Sequence, residues 1–143
     1  MLYLATRDEQ PLLNAPELSV EAVAPKAEAV RQWFSLPVIR FVGAYTGCSC
    51  GFHSVIAEAP IAFGEDVRLY PPDEEQLLSA RALIALIQRH VAAAGEVEMY
   101  PVWNGEENLP PKGTLELLAD TLNPRTFFFN ERFFYHVSSG GAQ

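Results

Sequence analysis

The chain has 143 residues, 49% hydrophobic and 20% charged, with a formal net charge of −8 and no run of Lys and Arg. That length suits one globular domain over residues 1–143, with a frayed tail at 139–143 and a core that needs no metal or disulfide staple. The acidic balance would repel phosphate backbones, which argues against a nucleic-acid partner; no apolar run approaches the roughly 20 residues of a membrane span, which argues against a membrane one.

The opening decapeptide M-L-Y-L-A-T-R-D-E-Q has neither a basic leader nor a long apolar segment, so a cytoplasmic address is expected. In a reducing compartment the two cysteines would rest as thiols unless something binds them. Leu2 to Thr6 reads as a short strand followed by a polar turn. The segment to Ala24, with prolines at 11, 16 and 25, favours an extended connection that adds at most a short edge strand. Pro25 suits a first helical position, and Ala27, Val30, Trp33 and Phe34 recur at helical spacing, which predicts a short helix over about 25–35.

Val38 to Tyr45 is apolar on both alternating sets, interrupted by Arg40 and Gly43, as expected of a central strand covered on both faces. It breaks into G-C-S-C-G at 47–51, where the glycines permit positive φ or close backbone approach. Residues 52–70 match neither period and suit a lid over that loop. Asp73 is an N-cap signal with Gln76 placed for a capping box, and Gly95 supplies the stop. Between them Leu77, Ala80, Ile84, Ile87 and Val91 form one stripe, widened by Leu83, so the main helix is expected over about 73–94.

Glu96 to Trp103 alternates as a strand with one solvated face, and Pro101 argues for an edge or a bulge. Thr114 onward favours strand for its first half. Thr126–Phe129 and Arg132–Val137 flank Asn130-Glu131 as the arms of a hairpin would. Irregular alternation of these elements predicts an α+β fold, a mainly antiparallel sheet packed against one long and one short helix.

Cys48, Cys50 and His53 are the candidate site. Two thiolates and an imidazole are three of the four ligands of a tetrahedral zinc ion, although C-x-C departs from the usual two-to-four-residue spacing. Zinc is therefore the expected cofactor if there is one, with His90, His136, Glu58 and Asp66 as possible fourth ligands. The same three residues would serve thiol chemistry, Cys48 or Cys50 as nucleophile and His53 as base. The acidic residues Glu58, Glu65 and Asp66 work against a thiolate there. Packing alone also accounts for buried cysteines on a tight turn. His90, near the end of the main helix, and His136, on one strand face with Arg132 and Phe134, read as structural.

Phe127, Phe128, Phe129, Phe133, Phe134 and Tyr135 are too many rings for one face of a hairpin. Either both faces of the sheet are covered, or the surplus rings form a patch for a protein partner or a second copy of the chain. Motifs of nucleotide enzymes and common hydrolases (GxGxxG, phosphate loop, HExxH, GxSxG) are lacking. Two functions are thus expected: a thiol loop that binds a soft metal or does thiol chemistry, or an interaction domain that works through its aromatic hairpin.

Overall fold

In the computed structural model, residues 1–47, 49, 52, 54–55, 73–124 and 129–139 are described. The strands among them are β1 (Leu2–Thr6), β2 (Leu13–Asn14), β3 (Ser19–Ala22), β4 (Val38–Gly43), β5 (Ser54–Val55), β6 (Glu96–Pro101), β7 (Gly113–Leu118), β8 (Phe129–Asn130) and β9 (Phe133–Ser138). The long helix α1 spans Glu74–Ala94, and Pro25–Trp33 winds as a 3₁₀ helix. The class is α+β, as expected. One seven-stranded sheet runs β2-β3-β4-β1-β6-β9-β7, antiparallel except for the parallel pair β7–β9, while β5 and β8 pair in parallel on their own.

Side chains alternate across the sheet, so each strand feeds two cores. One face collects Leu2, Leu4, Val42, Val97, Met99, Tyr135 and Val137 beneath Leu83, Ile84, Ile87 and Val91 of α1. The capping box forms as the sequence requires: the Gln76 N–H donates to Asp73, the Asp73 N–H donates back to the Gln76 side chain, and Gly95 closes the helix in the left-handed region. By length and composition α1 is apolar enough to cross a membrane. Here its apolar stripe is committed to the sheet, where each fully buried Leu or Ile contributes about 1.5–3 kcal/mol.

The other face packs Tyr3, Ala5, Ile39, Phe41, Tyr100 and Phe134 against the Pro25–Trp33 segment. That segment is 3₁₀ rather than α because its inward residues Ala27, Val30 and Trp33 recur every three positions, the period at which 3₁₀ side chains eclipse. Its end is tied down by polar groups. The buried Glu98 carboxylate accepts from the Ser35 and Leu36 N–H groups, both at 3.0 Å, and from the Ser35 hydroxyl at 2.7 Å. The Trp33 indole donates to Glu107 O, and the Tyr3 hydroxyl to Glu107 Oε2.

Three expectations change. β6 is an inner strand between β1 and β9, and Pro101 is tolerated because the β9 pairing stops at Met99. Its second face is not solvated, since Glu98 is enclosed by the donors it serves. Residues 129 and 130 form no ladder with β9, both of whose edges are taken, by β6 and β7; β8 leaves the sheet plane to pair with β5. The corner is turned by Arg132 at φ 65, whose N–H donates to Pro101 O.

Candidate functional site

The chain leaves β4 through a turn that only a residue without a Cβ allows. A Cβ on Gly43 would stand 2.6 Å from Ser19 Oγ and 2.9 Å from Gly47 O, so Ala44–Gly47 can fold back against the strand end. Gly47 then takes φ 80 in open space and donates to Ala44 O. The positive φ expected for a loop glycine is found here; Gly51 lies outside the described residues. From the helix side, the buried Ser79 hydroxyl accepts the Tyr45 N–H at 3.0 Å.

Ser49, the residue between the two cysteines, fixes the loop to the sheet. The Leu2 N–H donates to Ser49 Oγ at 2.6 Å, and that hydroxyl donates to Val42 O at 2.6 Å. It thus adds a rung at the end of the β1–β4 ladder, where Leu2 and Val42 are register partners. Three residues on, the Phe52 N–H donates to Ser49 O, and the buried Phe52 ring meets Phe129 edge to face with centroids 5.6 Å apart. Cys48, Cys50 and His53 themselves lie outside the described residues, as do Glu58 and Asp66 and the segment expected to be a lid. Their neighbours Gly47, Ser49 and Phe52 are each pinned.

The two remaining histidines are not brought to this loop. His90 is buried on α1 with Nδ1 at 2.9 Å from Asp8, beyond the opposite end of β1. His136 lies on the second sheet face with Nε2 at 2.7 Å from Glu96 and Nδ1 at 2.6 Å from Glu116. Among the described residues no three of His, Cys, Asp and Glu are grouped to hold a metal ion. Phe129, Phe133, Phe134 and Tyr135 are core residues, and burial pushes the Tyr135 phenol up to about 12. A partner surface on this part of the chain would therefore depend on Phe127 and Phe128, which lie outside the described residues.

Beside Ser49 opens a cleft of about 170 Å³ lined by Met1, Leu2, Ser49, Pro101, Trp103, Phe129 and Glu131. Trp103 is 55% exposed, whereas Glu131 Oε2 is enclosed and has no hydrogen-bond partner. Burial pushes the Glu131 carboxyl up, and the Glu106 charge adds to that; the Met1 amino group and Lys112 pull the other way. Sequence reading placed Ser49 in the loop but missed its anchoring role, and it missed Gly43, Trp103 and Glu131 as parts of this region. The G-C-S-C-G run draws attention to its sulfur atoms, and no local pattern joins residues 49, 103 and 131.

No protein-family model matches the chain, and no curated protein or solved structure matches it at a significant level.

Proposed function

We propose that this is a small cytoplasmic domain whose 47–51 loop presents Cys48 and Cys50 as paired sulfur donors to a soft metal ion, zinc in the first instance, with His53 as the third ligand. The observation that supports it is the pair of hydrogen bonds made by the Ser49 hydroxyl, which registers the middle of Cys-Ser-Cys to two inner strands. Donors attached to a backbone held before the ligand arrives lose less conformational entropy on binding, and a site on rigid elements keeps its geometry. The one Ser49 hydroxyl proton is committed to Val42 O, so the side chain is assigned an anchoring role. Thiol chemistry at the same pair is the nearest alternative and shares the same support. The interaction reading has less, because four of its six rings are buried.

Elemental analysis of protein purified without added metal should find about one zinc per chain. Replacing Cys48 and Cys50 together by Ala or by Ser should abolish that zinc, and a chelator should lower the stability of the parent to that of the variants. Metal-free protein whose native thiols react quickly would move the assignment to thiol chemistry. Metal-free protein with thiols silent until unfolding, and with Ser markedly worse than Ala, would leave the cysteines as packing and overturn the proposal.

A further inference from the structure

We infer that the cleft beside Ser49 is a binding site for a small organic cation, an alkylammonium or quaternary ammonium head group, held between the Trp103 ring and the enclosed carboxylate of Glu131. At about 170 Å³ the cleft has the room of about five or six water molecules, enough for such a head group and too little for a nucleotide. Its walls are mostly carbon, from Met1, Leu2, Pro101, Trp103 and Phe129, and an aromatic face attracts a cation most strongly where water is excluded. Burial in such surroundings penalises the charged form of this unpartnered carboxyl, and a cationic ligand would offset that penalty and hold the group ionised.

The charges already present do this only in part. The Met1 amino group attracts the Glu131 carboxylate, but its own hydrogen bond goes to Val102 O and burial lowers its pKa. Among the described residues no cation stands within ion-pair distance of Glu131. Arg132, the next residue, turns its Nη2 to Pro110 O instead. Trp103 is 55% exposed, so its ring is open to a ligand.

The probe pair is choline and its uncharged isostere 3,3-dimethylbutan-1-ol, titrated into the full chain while the Trp103 indole resonance and the heat of binding are followed. Choline should shift the Trp103 signal saturably and leave that of Trp33, whose indole is bonded to Glu107 O, unmoved. The alcohol should bind at least about tenfold more weakly, and Glu131→Gln and Trp103→Ala should each weaken choline by about tenfold. Equal binding of choline and the alcohol, no saturable shift with choline, or unchanged affinity in Glu131→Gln would overturn the inference. The wild-type comparison decides even if a variant folds poorly. The inference assigns no role to a thiol, so the Cys48→Ala/Cys50→Ala variant should bind choline as the parent does, and a failed metal assignment leaves this result standing.

Discussion

The two faces of the seven-stranded sheet are covered by different physics. Beneath α1 the contact is apolar, continuous and non-directional, built by a stripe repeating at helical spacing over 21 residues. Beneath the 3₁₀ helix the apolar contact is smaller, and the layer is located by directed bonds from far-separated residues: Glu98 to Ser35 and Leu36, Glu107 to Tyr3 and Trp33. A periodic face is held by its total area and survives small changes of angle. A bonded face is held by a few points and depends on each.

The first test of that contrast is Ile87→Ala, at a fully buried position of α1. Lost transfer energy and a residual cavity should together cost about 2–5 kcal/mol, read by denaturant unfolding. A loss below about 0.5 kcal/mol, the scale of a surface site, would remove this face from the core. The second is Glu98→Ala, which leaves the buried Leu36 N–H and the Ser35 N–H and hydroxyl without their acceptor; each lost bond to a charged acceptor is on the order of 1.5–3 kcal/mol, partly recovered by no longer burying the carboxylate. A net loss of about 2 kcal/mol is expected, with faster hydrogen exchange confined to the 25–36 layer. Uniform loss of protection over both faces would show that the two layers are not separately held.

The same contrast explains what could be read from the sequence. α1 was legible to its caps because Asp73, Gln76, the apolar stripe and Gly95 are all local signals. β1 and β4 were legible because they are apolar on both sides. The 3₁₀ winding was written in the three-residue spacing of Ala27, Val30 and Trp33, which also passes for an α-helical pattern. The buried role of Glu98 was not legible, since its donors lie more than 60 positions away and an alternating Glu reads as solvent-facing. The separation of β8 from β9 was hidden for a similar reason: it depends on β6 and β7 occupying both edges of β9, a property of the assembled sheet. At the candidate site the glycines and cysteines announced a tight loop. The residues that anchor it and open a cleft beside it meet only in three dimensions.

The smallest effect belongs where the polar face loses its cover. Toward β7 the 3₁₀ layer ends, and Thr114, Glu116 and Leu118 are exposed. There His136 joins β6 to β7 by bonding Glu96 through Nε2 and Glu116 through Nδ1, while Arg7 holds the second oxygen of Glu96. Glu98, the register partner of His136 on β6, is already committed to Ser35 and Leu36. A carboxylate only accepts, and a neutral imidazole has one N–H, so both bonds together require the imidazolium. Burial alone would lower the His136 pKa, but the bonds to Glu116 and Glu96 more than offset it and hold it above 6.5. Those to His136 and Arg7 hold Glu96 below 4.5. For a base with a raised folded pKa, the stabilisation is complete below the unfolded value near 6.5 and disappears as pH rises through the folded one. For Glu96 it is complete above 4.5 and lost as pH falls through its lowered value. His136→Gln should therefore cost most between about pH 5 and 6.5, by about 0.2–1 kcal/mol because the partners are partly exposed, and the gap to the parent should close as pH rises above that window. Melting temperatures of the two proteins across pH 4 to 9 measure it. A gap of constant size would mean that His136 works by packing rather than by charge.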